Sequence, residues 1–295
     1  MTTEPIQPKP PWLRRRLPSG PQYERIRSLI KNQCLSTVCQ EAMCPNQFEC
    51  FGQGTATFML LGDRCSRNCR FCAVGHGPQS PPDPDEPARV AEAVETMGLS
   101  YCVLTSVTRD DLADGGAGHF AAAIRAIRER NPHTLIEVLI PDFQGNHQAL
   151  QTVVEARPEV LNHNLETVVR LYPTVRPQAD YQQSLAVLQR AKTMASSMVT
   201  KCGIMVGLGE TEVELGQLFA DLTRAGCDIL TIGQYLQPSR AHLEVVRYLP
   251  PSEFALLEQQ ALAMGLKAVA SAPFVRSSYQ AEALYRRVLH AVPSR

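Results

Sequence analysis

Short apolar runs rich in β-branched residues alternate along this chain with stretches whose apolar positions recur at helical spacing. The apolar runs fall at 55–61, 101–107, 135–140, 160–164, 198–206 and 228–234. Between them, 88–97, 117–130, 146–156, 180–195 and 211–225 carry the period of amphipathic helices, and a sixth helix is expected at 252–264. The helix at 211–225 has a legible start and stop: Thr211 precedes Glu214 as in a capping box, and Gly226 lies just past its end. Upstream, residues 1–20 are proline-rich, and Tyr23, Ile26, Leu29 and Ile30 space out a short helix over 21–31. Downstream, an apolar segment at 267–271 leads into 272–279 and a last helix reaching His290.

Strands alternating with helices imply parallel pairing through right-handed crossovers, hence an α/β protein. Six such units fit a doubly wound sheet or an incomplete (β/α) barrel. Polar residues sit at the C-terminal ends of most of the strands: the cysteine loop after 55–61, then 106–110, Asn162 and His163, 207–210, and Gln234. A barrel builds its site from many strand ends in this way, whereas a doubly wound sheet concentrates it at one switch point. Neither G-x-G-x-x-G nor G-x-x-x-x-G-K-[ST] occurs. The pattern predicts a partial (β/α)6 TIM-like barrel over 55–265, with an N-terminal extension at 1–54 and a C-terminal extension at 266–295.

At 295 residues, with 44% hydrophobic and 20% charged positions, the composition is that of a soluble globular protein with a sizeable core. The formal net charge is zero, so no global field argues for nucleic acid or a membrane surface. Residues 1–31 hold seven Lys/Arg against two Asp/Glu, a local +5 that includes Arg14, Arg15 and Arg16. Such a segment is either a solvated tail or a docking element for an acidic partner. No run approaches the roughly 18 apolar residues of a membrane helix, and no secretory signal opens the chain.

Ten cysteines in such a chain point to metal in a reducing, cytoplasmic setting rather than to disulfides, and six of the ten lie between 39 and 72. Cys65-Ser-Arg-Asn-Cys69-Arg-Phe-Cys72 places three thiols at C-x3-C-x2-C spacing directly after the first strand. Three thiolates on one short loop can converge on one metal centre and leave a position open for chemistry. His76 allows a Cys3His zinc site to be written, while Phe71 beside Cys72 offers the apolar cover an iron–sulfur cluster needs. Both readings stand on spacing alone. A second triplet, C-x4-C-x5-C, is formed by Cys39, Cys44 and Cys50. Cys34 lies close enough upstream to be a further ligand, and Cys102, Cys202 and Cys227 sit in apolar contexts as core residues.

The C-x3-C-x2-C loop, with an aromatic before its last cysteine and at the first strand of a partial barrel, resembles the radical S-adenosylmethionine superfamily. With the second triplet, Arg276-Ser277-Ser278-Tyr279, and the stretches beginning at Thr105, Asn162, Val206 and Gln234, the chain resembles the lipoyl synthase family from about residue 20 to 280. The resemblance implies two [4Fe–4S] clusters and S-adenosylmethionine. Cys65, Cys69 and Cys72 would hold the cluster that binds S-adenosylmethionine. Cys39, Cys44 and Cys50 would hold an auxiliary cluster that donates sulfur, its fourth ligand a serine, Ser278 ahead of Ser277. A hard serine oxygen matches an iron–sulfide centre poorly, which suits a cluster that is taken apart. The implied reaction inserts sulfur at C6 and C8 of an octanoyl chain on a lipoyl carrier domain. The implied partners are that octanoylated carrier, a flavodoxin- or ferredoxin-type electron donor and an iron–sulfur cluster carrier.

For S-adenosylmethionine itself, Thr105, Ser106, Asn162 and Glu166 offer hydroxyl, amide and carboxylate partners, and Arg176 offers a fork for a carboxylate. Gly207 and Gly209 allow close backbone approach at a helix start. His119, His163 and His242 show no base-like pattern and read as packing residues. Two rival functions remain: a zinc-stapled binding protein, and a radical enzyme whose second cluster only relays electrons. If the basic segment docks the carrier, reversing the charge of Arg14, Arg15 and Arg16 raises KM for the carrier domain but not for a short octanoylated peptide. Steady-state kinetics on both substrates checks this, and equal effects exclude docking.

Overall fold

The computed structural model describes residues 9–14 and 20–291. Arg15 and Arg16 of the basic segment lie outside the described residues. Eight strands form one sheet in the order β1 (Ser36–Thr37), β2 (Thr57–Leu60), β3 (Tyr101–Ser106), β4 (Leu135–Leu139), β5 (Val160–Asn162), β6 (Val199–Val206), β7 (Ile229–Gln234) and β8 (Ala268–Ser271). From β2 to β8 every neighbour is parallel, and only β1 runs antiparallel, on β2. Strands following one another in chain order mark a barrel; a doubly wound sheet would reverse at its switch point. Among the described residues β8 does not pair back to β2, so the barrel is partial.

The helices follow their local signals. The N-terminal extension carries α1 (Pro21–Asn32), with proline at its first turn. The barrel then carries α2 (Glu86–Met97), α3 (Ala117–Arg130), α4 (His147–Glu155), α5 (Tyr181–Met194), α6 (Glu212–Arg224) and α7 (Pro251–Ala263), and α8 (Ala281–Ala291) follows β8. Thr211 and Glu214 form the full capping box on α6, and Asp180 accepts from Gln183 N at the start of α5. Gly98 ends α2 in the left-handed conformation, φ 64°, where a side chain would be strained. The outward faces of the strands (Phe58, Leu60, Cys102, Leu104, Ile136, Val138) bury against Phe120, Ile124, Val153 and Leu218 of the helices.

The sheet has one parallel strand more than the six read from the sequence. The boundary drawn at residue 266 does not end the sheet, because Ala268–Ser271 is a further parallel strand on β7. Four residues are too short for their periodicity to separate a strand from a linker.

Inside the barrel the layers differ in character. At the bottom, Val160, Val199, Ile229 and Ala268 form an apolar plug with Leu284 and Val288 of α8. Above it lies a buried ion pair, Lys201 Nζ to Glu137 Oε1 at 2.8 Å, with both side chains at most 1% exposed. Tyr101 donates to Glu137 at 2.8 Å and Asn162 at 3.3 Å, so the carboxylate is fully engaged. This pair stitches β3, β4, β5 and β6 together. Removing one partner from such a pair costs about 3–5 kcal/mol, because the other charge stays buried. Lys201→Met is therefore expected to lower unfolding free energy by about that amount, and Lys201→Met with Glu137→Leu to recover most of it. Urea denaturation of the metal-free chain at neutral pH checks the cycle.

Candidate active site: a cavity shared by two cysteine triplets

A single cavity of about 1100 Å³ opens at the C-terminal ends of the strands and along the unclosed side of the barrel. All six clustered cysteines, Cys39, Cys44, Cys50, Cys65, Cys69 and Cys72, line it, together with Ser277 and Ser278. Residues more than 200 positions apart thus share one space.

The loop 65–72 leaves β2 and is fixed mainly by Arg67. Its guanidinium is buried, with Nε and Nη2 donating to Asp110 at 2.7 and 2.9 Å and Nη1 and Nη2 to Asp142 at 2.9 and 2.7 Å. Asp110 follows β3 and Asp142 follows β4, so the loop is bolted to the next two strand ends. Further contacts hold the same loop: Ser66 N to Thr108 O, Thr108 N to Cys65 Sγ at 3.3 Å, and His242 Nε2 to Cys72 O at 3.0 Å. Phe71 packs with Val175, Leu208 and Tyr235, consistent with an apolar cover. Arg67 was not singled out from the sequence. The available signal was an arginine inside the cysteine loop with carboxylates just beyond two strand ends.

The second triplet is built on two short helices. Cys39 lies in Val38–Glu41, capped by Thr37, and Cys50 in Gln47–Gly52, with Cys44 between them. The strap 272–280 crosses from β8 to this module. Asn46 Nδ2 donates to Phe274 O at 2.7 Å, and Tyr279 OH to Glu49 Oε1 at 2.9 Å. Gly233 on β7 makes the crossing feasible, since a Cβ there would lie 2.1 Å from Val275 O. Arg276 Nη1 donates to Val275 O at 2.6 Å. Ser277 Oγ accepts from Asn164 Nδ2 at 2.8 Å, while no described group hydrogen-bonds the Ser278 hydroxyl.

Between the triplets, after β5, is a polar group. Asn164 Nδ2 also donates to Glu166 Oε1 at 2.9 Å. Arg176 Nη1 donates to Asn164 O at 2.8 Å and stacks over Tyr172, yet its Nε has no partner among the described residues. Burial raises the Glu166 carboxyl above its ordinary range, partly offset by Arg176 and Asn164. His163 donates from Nδ1 to Ile140 O at 2.8 Å, and its Nε2 is unpartnered. Burial, with the charge of Arg176, pushes its pKa down to about 4, so at neutral pH Nε2 is a bare acceptor. Ser106 Oγ is likewise buried and unpartnered, and Thr105 donates to Leu139 O. Thr105, Ser106, His163, Glu166 and Arg176 all line the cavity.

Three expected binding residues do not. Asn162 is fully buried beneath the cavity and spent on Glu137. Gly207 gives its N–H to Glu210 at 2.6 Å, and its α-carbon is covered by Gln234 and Arg247. Gly209 faces Val246 across the same turn. These glycines serve a tight turn, with φ 99° and 100°. Of the expected packing histidines, His119 meets Glu86 at 2.6 Å and His242 the cysteine loop, whereas His163 faces the cavity.

Two sets of three thiols lining one cavity fit the thiolate ligation of iron–sulfur clusters. His76 is exposed and off the cavity wall, on a short strand where it pairs with Cys65. Cys34 is exposed and off the wall too, while Cys102, Cys202 and Cys227 are buried in the core as expected. Burial, with neighbouring thiols adding, pushes Cys39 and Cys72 up to about 12, so loading iron must displace protons. The unpartnered hydroxyl, imidazole and guanidinium atoms suit a ligand carrying amino, carboxylate and ribose groups.

Comparison with known proteins agrees with this geometry. Residues 59–222 match the family model described as the radical SAM superfamily. The fold resembles methylornithine synthase (TM-score 0.54, 13% identity, 80% of this chain and 82% of that one) and Streptococcus suis SuiB bound to S-adenosylmethionine (0.57, 8%, 76% and 54%). Barrel, loop and family model thus define a radical S-adenosylmethionine protein. Curated relatives narrow this: lipoyl synthases of Desulfotalea psychrophila (61% identical, 95% of this chain, 93% of the relative), Alkaliphilus metalliredigens (54%, 94%, 95%) and Chlorobaculum tepidum (56%, 93%, 95%). The chain belongs to the lipoyl synthase family.

The Arg67 clamp carries a pH signature. Burial alone would raise the Asp142 carboxyl, but the hydrogen bonds and charge of Arg67 outweigh it and hold the group well below its usual range. A depressed carboxyl contributes stability that is present above the unfolded pKa, ~3.9, and lost as pH falls through the folded value. Asp142→Asn is expected to destabilise the metal-free chain by about 3–5 kcal/mol at neutral pH. The gap should narrow steadily below about pH 4. Urea titrations over a pH series measure it, and a gap independent of pH would contradict the assignment.

Proposed function

We propose that this chain carries out lipoyl formation with two clusters held in one cavity, and that the auxiliary cluster supplies the sulfur. The observation carrying this reading is the shared cavity: both cysteine triplets and Ser278 border one space, and Thr105, Ser106, Glu166 and Arg176 lie on the same wall. When bound, S-adenosylmethionine with the first cluster supplies hydrogen abstraction from unactivated carbon, and the auxiliary cluster supplies sulfide, so that each of C6 and C8 exchanges one C–H bond for one C–S bond.

The chain's own residues set the geometry. Cys65, Cys69 and Cys72 would hold the first cluster on a loop that Arg67 immobilises. Cys39, Cys44 and Cys50, with the Ser278 oxygen, would hold the second. Arg176 and Glu166 would take the carboxylate and the ribose or amino groups of S-adenosylmethionine, and His163 Nε2 adds an acceptor. Met59, Val103, Leu139 and Ile204 give the same cavity an apolar wall for an acyl chain. The unclosed side lets an octanoyllysine arm enter from a folded carrier domain. An electron donor of flavodoxin or ferredoxin type and a cluster carrier complete the cycle.

The test is anaerobic incubation of the reconstituted chain with an octanoylated carrier peptide, S-adenosylmethionine and reductant, read by mass spectrometry. Gain of two sulfur atoms is expected; methylation or no change would refute the reading. Cys39→Ser with Cys44→Ser and Cys50→Ser should lose half of the iron and acid-labile sulfide and all sulfur insertion, yet still cleave S-adenosylmethionine. Ser278→Cys should retain iron and abolish insertion, whereas an electron-relay cluster would tolerate the fourth thiolate.

A further inference from the structure

One side chain touches both halves of the cavity. Asn164 is buried, and its amide nitrogen donates to Glu166 Oε1 at 2.9 Å and to Ser277 Oγ at 2.8 Å. The carboxylate accepts, which fixes the amide nitrogen toward both partners. Glu166 is held in the left-handed conformation, φ 67°, and its backbone N–H bonds to Gly203 O at 3.1 Å. A Cβ at Gly203 would lie 2.7 Å from Asn164 Oδ1, so a side chain there would displace the amide. On the far side, Ser277 belongs to the strap whose Val275 rests on Gly233 and whose Tyr279 reaches Glu49 beside Cys50. A two-bond path therefore joins the polar group after β5 to the module of Cys39, Cys44 and Cys50.

We propose that the Asn164–Ser277 hydrogen bond is a positioning bridge through which S-adenosylmethionine at Glu166 orders the serine strap over the auxiliary cysteines. This rests on the reading that Glu166 and Arg176 face S-adenosylmethionine. Ser277 is then a positioning residue rather than a ligand, and the two adjacent serines have separate tasks. Ligand contact with Glu166 fixes the carboxylate, the carboxylate fixes the Asn164 amide, and the amide fixes Ser277. By linkage, the protection that the strap gains on ligand binding returns as ligand affinity.

The experiment is hydrogen exchange on the reconstituted holoenzyme, read at peptides covering 272–280, with and without saturating S-adenosylmethionine. Binding is measured in parallel by equilibrium dialysis. In the parent chain S-adenosylmethionine is expected to slow exchange of the Val275 and Tyr279 amides about fivefold or more, the lower end of ordinary coupling. Ser277→Ala, at a half-buried strap position that does not threaten folding, should abolish that ligand-dependent change while iron content stays that of the parent. Ser277→Thr, which restores the acceptor oxygen, should recover it. Persistence of the ligand-dependent slowing in Ser277→Ala, or its absence in a parent chain that binds S-adenosylmethionine, overturns the bridge. A parent chain that fails to bind S-adenosylmethionine overturns the underlying site reading instead.

Discussion

The site depends on one buried guanidinium. A loop of eight residues with three cysteines has no hydrogen-bond ladder of its own, and loop-closure entropy works against any single arrangement of its thiols. Arg67 answers this with four charge-assisted hydrogen bonds to carboxylates from two successive strand ends. Placing a cation there would be costly without both partners. Both come from loops whose bases are strands in register with β2: Leu60 pairs with Ser106, and Thr105 with Leu139. The precision of the loop is thus borrowed from the sheet. Arg109, buried beside it, bonds Asp111 and Leu61 O and secures the other side of the same turn.

An unclosed barrel creates the second requirement. The side between β2 and β8 exposes strand edges and the barrel interior, and soluble proteins cover such edges. Here β1 covers the β2 edge and α8 plugs the bottom, so both extensions are pulled to the open side. Once there they meet each other through Asn46 with Phe274 and Glu49 with Tyr279. Protecting the edge and bringing the serine strap to the cysteine module are one structural act. Gly233 shows how tight the fit is, since any side chain would occupy the place of the strap backbone.

Much of this was legible in the sequence, and the parts that were not share a cause. Helix α3 falls at the expected residues and the Thr211–Glu214 box is present, because caps and periodicity are local. The barrel order was legible from polar residues recurring after strands. The strand Ala268–Ser271 was not, since four residues carry no period and its partner is found only in three dimensions. Asn162 shows the same limit one step deeper. It closes a strand, just before the residues that reach the cavity, yet alternation turns it inward onto Glu137, a partner 25 positions away. Gly207 and Gly209 advertise close approach without saying what approaches, and the answer is the chain itself. His163 is the converse: without its environment a histidine reads as packing, and only the unpartnered Nε2 on the cavity wall marks it out.

The polar group after β5 explains why the cavity is polar where it is. A buried polar atom without a partner costs about 1–3 kcal/mol, and native folds keep few of them. Here Ser106 Oγ, His163 Nε2, Asn164 Oδ1 and Arg176 Nε are gathered on one wall. The neighbouring barrel layer, by contrast, satisfies Glu137 with three donors. Sheet geometry alone does not separate the layers so sharply, because both are reached by the same alternating side chains. The difference is that the Glu137 carboxylate is fully engaged and leaves only Asn162 Oδ1 unpartnered in its layer, whereas four such atoms face the cavity. A ligand bearing charge and hydroxyls gains there what the fold forgoes. These atoms lie in the cavity that both cysteine triplets line, the place the proposed chemistry requires.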